Sequence, residues 1–147
     1  MGKGPMGKGQ KADAAFAADR DLLQGLLTHR ADIRRDVRKT PNGVETLTES
    51  DKPEVAAAIQ RHVASMEARV KEKRPIHRRD PLFAELFRHA DQITFVFERT
   101  NKGMRVTEMA NDPYVVKLIQ SHAKVVSLFI KHGFAEVHRN HELPAKP

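Results

Sequence analysis

Four histidines recur in two matched pairs, His29 with His89 and His62 with His122, each pair 60 residues apart. Imidazole titrates nearer neutral pH than any other side chain, and its unprotonated nitrogen is a common metal ligand. His29 continues the helical spacing of Leu22 and Leu26 and precedes Ile33. His89 does the same after Leu82 and Leu86 and before Ile93. His62 falls three after Ile59 and four before Met66, and His122 three after Ile119 and four before Val126. Such spacing sets each ring on or beside the buried stripe of its helix. A ring placed there must find partners for two nitrogens. Hydrogen bonds to a backbone carbonyl or a nearby Gln meet that need, as does a proton-active role tuned by burial. The third solution is ligation of a metal or haem iron, with the other nitrogen held by an acceptor. Equivalent histidines that converge on a two-fold axis suit a bis-imidazole haem site, or a site for a transition metal ion such as Zn²⁺ or Cu²⁺. Gln60 and Gln120 recur as well and are candidates to support those ligands. Duplication alone also preserves residues for packing, so a structural use of the four rings stays open. No Asp or Glu falls at equally interior spacing beside them, which argues against carboxylate-assisted catalysis. The leading expectation is a non-enzymatic binding protein that holds a transition metal or haem through these histidines between the two repeats.

Other signals are weaker. His138 and His141 form an i, i+3 pair that could touch one metal ion on a helical turn. The start, MGKGPMGKGQK, has glycines and lysines but lacks the phosphate-loop spacing. Met1 and Met6 are too few for a methionine copper site. Ser50, Ser65, Ser121 and Ser127 belong to caps or helices, and no G-x-S-x-G occurs. Arg34, Arg35, Arg38 and Lys39 form one basic cluster, and Lys71, Lys73, Arg74, Arg78 and Arg79 another. Either could neutralise phosphates. With a single Tyr and no Trp, base-stacking platforms are missing, so such binding would be phosphate-driven and non-specific. The rival expectation is therefore a basic interaction module that docks an acidic protein or nucleic acid, with the histidines structural.

Composition sets outer bounds. The chain is 39% hydrophobic and 31% charged, enough for a core beneath a charged exterior. The absence of cysteine excludes disulfides, thiolate metal sites and thiol nucleophiles. A net charge of +7 favours anionic partners. No apolar run approaches a membrane span, and the N-terminus lacks the apolar core of a secretory signal. A periplasmic location is expected if a signal was removed, and a cytoplasmic one otherwise.

The spacing of the histidines belongs to a larger repeat. Leu22–Lys73 aligns with Leu82–Gly133 without a gap, matching Ile33/Ile93, Thr40/Thr100, Gly43/Gly103, Pro53/Pro113, Val55/Val115 and Ile59/Ile119. Two copies make no solenoid, so they are expected to share a core about a pseudo-two-fold axis. Each unit reads as α-β-β-α. A first helix is expected over about 13–31 and again over 80–91, where Asp80-Pro81 is a good start. Strands follow at Ile33–Lys39 and Val44–Glu49, and in the second copy around Ile93–Glu98 and at Met104–Met109. Asn42-Gly43 signals a hairpin, and Gly103 is expected to supply a positive φ in the second turn. Ser50/Asp51 and Asn111/Asp112 are expected caps of long helices opened by Pro53 and Pro113, and Gly133 should terminate the second. The fold class is α+β: an internally duplicated unit with a four-stranded antiparallel sheet and helices mainly on one face. Residues 1–12 read as a flexible basic tail, 13–73 and 80–133 as the repeats, 74–79 as a basic linker and 134–147 as a C-terminal tail.

The phrases PNGVETLTESDKPEVAAAIQRHVASM and DPYVVKLIQSHAKVVSLFIKHG resemble a family of small bacterial duplicated-domain proteins with no assigned activity. The resemblance covers most of residues 20–140. It implies a Gly/Met-rich start behind an export signal, and hence a periplasmic setting. It also implies a His at the position of Gln24 in some relatives, so a first-helix metal site here would lack that ligand.

Overall fold

A computed structural model describes residues 21–72, 80–137 and 139–145, apart from the side chains of residues 70–72. The first repeat begins with helix α1, described over residues 21–28, and a 3₁₀ turn at Arg30–Asp32. Strands β1 (Ile33–Thr40) and β2 (Gly43–Ser50) and helix α2 (Pro53–Glu72) complete it. The second repeat runs α3 (Pro81–Arg88), a 3₁₀ turn (Ala90–Gln92), β3 (Thr94–Thr100), β4 (Gly103–Met109) and α4 (Pro113–His132). A one-turn helix α5 (Phe134–Val137) follows, within the stretch expected as a C-terminal tail.

The strands form one antiparallel sheet in the order β1-β2-β4-β3. The central β2–β4 pair sets Thr46 opposite Val106, two positions that are themselves 60 residues apart. The pseudo-two-fold axis therefore passes between those residues. The duplicated α+β architecture read from the repeat is the architecture found.

The helices lie on one face because the strands alternate. Along β3, Phe95 and Phe97 are half-buried towards the helices, while Thr94, Val96 and Glu98 are exposed. The long helices cross over the axis. Gln120 on α4 donates to the carbonyls of Thr40 (3.2 Å) and Gly43 (3.0 Å) in the first hairpin. Gln60 on α2 donates to Thr100 (2.8 Å) and Gly103 (3.4 Å) in the second. Each repeat thus holds the turn of the other, and α2 and α4 pack against the opposite repeat's strands as well as their own.

Two turn expectations need correction. Gly103 adopts no positive φ; among the described glycines only Gly133 does. Register pairs Thr40 with Gly43, so the two-residue turn is Pro41-Asn42 and Gly43 is already in β2. Proline's φ near −65° at the first turn position rules out the Asn-Gly hairpin turn. Gly43 and Gly103 are required for a different reason. A Cβ on either would overlap the backbone carbonyl oxygen of Glu108 or Thr48 on the neighbouring central strand. Close approach of β2 and β4 demands the glycines.

Capping follows the prolines. Asp80 and Asp112 accept from the backbone N–H of Leu82 (3.0 Å) and Tyr114 (2.8 Å). In the first repeat Lys52 stands where Asp112 stands in the second. Its N–H is bonded by Ser50 Oγ (3.1 Å), and Asp51 turns instead to Arg34 and Lys102. Gly133 ends α4 as expected, its N–H reaching the carbonyl of Phe129. The guanidinium of Arg30, from the first repeat, caps the last carbonyls of that helix at Ile130 (3.1 Å) and Lys131 (2.5 Å).

The core is unequal across the axis. One cluster joins α3 and α4 to Val44 and Ile93, with Leu82, Val115, Leu118 and Ile119 nearly inaccessible. The other, around α2, has Leu26, Val55, Ile59 and Met104 buried among the described residues. Leu118 in the large cluster corresponds to Ala58 in the small one.

Candidate functional site

The repeated histidines fall into two structural classes. His29 and His89 end α1 and α3, and their carbonyls accept from Asp32 and Gln92 (both 2.9 Å) in the 3₁₀ turns. Their rings differ. The His29 side chain is 54% exposed, with Nδ1 4.0 Å from Asp32. His89 is 24% exposed; Nδ1 lies 3.0 Å from Gln92 Nε2, Nε2 lies 3.5 Å from Glu85 Oε2, and the ring meets Tyr114 edge-on.

His62 and His122 lie mid-way along α2 and α4, both half-buried. The His122 ring stands edge-on to Phe83, with centroids 5.0 Å apart. Its Nδ1 is sealed from solvent and has no hydrogen-bond partner. Burial, reinforced by the charge of Arg35 and opposed by Asp80, pushes the ring down to about 4, so it is neutral at physiological pH. His29, His89 and His122 share no ring partner in these contacts. Among the described residues no group of three or more His, Asp or Glu side chains is arranged to hold a metal ion. Gln60 and Gln120, the candidate supports for such ligands, spend their amides on the hairpin turns; Gln60 Oε1 also accepts from Arg99 (2.8 Å).

His138 lies outside the described residues. His141 is held on both sides. Nδ1 bonds Asp80 Oδ2, Nε2 lies 2.5 Å from Glu136 Oε2, and its backbone N–H donates to Asp80 Oδ1 (3.1 Å). Burial works against the charged ring, but the two carboxylates outweigh it and hold the pKa above its ordinary value. Both ring nitrogens thus face carboxylate oxygens.

The arginine cluster is divided by strand alternation. Arg34 pairs with Asp51 (2.9 Å) and Glu49 (3.6 Å), and Arg38 with Glu45 (3.0 Å), on the face away from the helices. Arg35 points the other way and donates to Ser127 Oγ (2.9 Å), Thr48 Oγ1 (2.9 Å) and the carbonyl of Ala123 (3.3 Å). Burial lowers its pKa to about 10, against the opposing pull of Glu108. Glu108, on the same sheet face, is pushed up to about 7 by burial, which Arg35 only partly offsets. The side chain of Lys71, and all of Lys73, Arg74, Arg78 and Arg79, lie outside the described residues.

Buried acids were not anticipated. Asp80, Glu85, Glu108 and Glu136 are all buried. Glu85 accepts from Tyr114 Oη (2.9 Å) and pairs with Arg88; burial raises its pKa, and these partners with His89 more than reverse that. Glu85 sits four before His89, on the same helix side as Leu82, so helical spacing could have found it. Glu108 has a matching signal: it falls on the inward parity of β4 with Met104.

No helix of the described residues is long and apolar enough to cross a membrane. No family model, curated protein or solved structure matches the chain.

Proposed function

We propose that the protein is a non-enzymatic binding module that docks a polyanion, an acidic protein or a nucleic-acid backbone. The observation that carries this is where its charge resides. Residues 1–20 hold four Lys or Arg against two Asp, residues 70–79 hold five against one Glu, and Lys146 adds one more. Those positions account for the whole +7; the remainder of the chain has equal numbers of basic and acidic side chains. The exposed arginines of β1 are already committed to carboxylates, so they offer little to a partner. A neutral body that carries concentrated basic segments attracts phosphates or carboxylates through long-range electrostatics rather than through base-specific contacts.

Binding to heparin and to duplex DNA as a function of salt tests this. The affinity should fall steeply with salt, with a log–log slope of about −0.9 per phosphate neutralised. Replacing Lys71, Lys73, Arg74, Arg78 and Arg79 with Gln should flatten that slope, whereas Arg34→Gln with Arg38→Gln should leave it unchanged. Binding that is insensitive to salt, or lost equally in both variants, sinks the proposal.

One observation favours a second reading, in which a haem or transition metal ion is held by the repeated histidines. A sealed imidazole nitrogen with no partner costs about 1–3 kcal/mol unless something fills it, and a neutral ring is the form that ligates. Under this reading His122 is the anchoring ligand, and His29, His62 and His89 supply the others. An absorption spectrum and elemental analysis of untagged protein should then show a Soret band or stoichiometric metal that is lost in His122→Ala.

A further inference from the structure

We propose that β3 is the docking edge for a second copy of this chain, joining two four-stranded sheets into one antiparallel eight-stranded sheet. The sheet has two edges that the pseudo-two-fold makes equivalent, β1 and β3. An edge strand presents unpaired backbone N–H and C=O groups, and proteins guard such edges with charge. β1 is guarded: Arg34, Arg35, Asp36, Arg38 and Lys39 are five of its eight residues. β3 reads TFVFERT, with charge only at Glu98 and Arg99, and Val96 is 42% exposed.

Charge complementarity selects the occupant. In an antiparallel self-pairing, residues that turn their backbone outward meet residues of the same parity, so paired residue numbers sum to an even value. For β3, the register with full overlap places Phe97 against Phe97, Val96 against Glu98, Phe95 against Arg99 and Thr94 against Thr100. No like charges face each other, and the two Phe95–Arg99 pairs place a guanidinium beside an aromatic ring. The same construction on β1 fails in both of its longest registers. One sets Arg34 against Arg38 and Asp36 against itself; the other sets Arg35 against Lys39. Only the β3 edge therefore closes on itself, and a two-fold there gives a closed dimer rather than an open polymer.

The test is sedimentation equilibrium on the full chain over a wide concentration series, with wild type and three variants. The wild type should show a monomer–dimer equilibrium. Val96→Glu sets like charges opposite Glu98 twice and should raise the dissociation constant about tenfold. Val96→Lys sets opposite charges there and should leave the constant unchanged or lower it. Val37→Glu, on the other edge at a site 40% exposed, should have no effect. Far-UV circular dichroism should be the same for all four, since neither position is in the core. A wild type that stays monomeric at every concentration overturns the proposal. So does equal weakening by Val96→Glu and Val96→Lys, or a dimer broken by Val37→Glu.

Discussion

The two repeats share a frame and differ in what they bury. Both keep Gly43/Gly103 at the close approach of the central strands, and Gln60/Gln120 on the opposite hairpin. Both keep Val55/Val115 and Ile59/Ile119 in the core. Elsewhere they diverge at matched positions: Ala58 against Leu118, Thr48 against Glu108, Arg35 against Phe95, Gly25 against Glu85, Glu54 against Tyr114. The retained glycines and glutamines make contacts that cross the axis. The divergent residues include some that lie within one cluster, as Leu118 does, and some that reach across the axis, as Arg35 does to Ser127 and Ala123. The result is a second repeat with a large core and buried acids, facing a first repeat with a small core and a buried arginine.

The frame and the fill respond differently to substitution. Gly43→Ala and Gly103→Ala should be the most damaging, each by about 4 kcal/mol or more, because a Cβ there collides with backbone that cannot move aside. Urea denaturation should show the two losses to be similar, since the collisions are symmetry mates. A mild effect at one glycine alone would mean that the central pair is not symmetric. Leu118→Ala should cost about 2–5 kcal/mol in the same assay by opening a cavity in the large cluster. Its counterpart is already Ala58, and enlarging that residue to Leu tests whether the small cluster has room.

Titration separates the repeats again. Glu108 has a folded pKa of about 7, raised from 4.5, so the folded state favours its neutral form. The stability this brings is complete below pH 4.5 and is lost as pH rises through 7. Glu108→Gln, which mimics the neutral form, should therefore match wild type at pH 4 and exceed it at pH 8 by up to about 3 kcal/mol. His122 acts in the opposite sense. Its pKa of about 4 lies below the ordinary value of 6.5, so stability falls as pH drops from 6.5 to 4. Thermal unfolding across pH would show whether these slopes exist; a Glu108→Gln variant whose advantage is the same at both pH values contradicts the first. The smallest expected change is at the frame's hydrogen bonds. Gln60→Ala and Gln120→Ala should each cost about 1 kcal/mol, alike in both halves. A large inequality would show that one long helix, and not the pair, holds the sheet together.

The 60-residue identities established the duplication, the α-β-β-α order, the antiparallel hairpins and the helix starts at Asp80-Pro81 and Asp112-Pro113, because periodicity and capping are local properties of the chain. They also marked Gln60, Gln120 and the four histidines as residues retained twice. What each retained residue touches was decided by tertiary structure. Gln60 and Gln120 meet the opposite hairpin because the long helices cross the axis. His29 and His89 share a backbone role but not ring partners, and His122 is sealed beside Phe83. The arginine run Arg34-Arg35 split because strand alternation sends one side chain out to carboxylates and the next inward beneath α4. A linear sequence carries spacing and residue type, whereas contacts between residues some 60 to 100 positions apart depend on how the two copies dock.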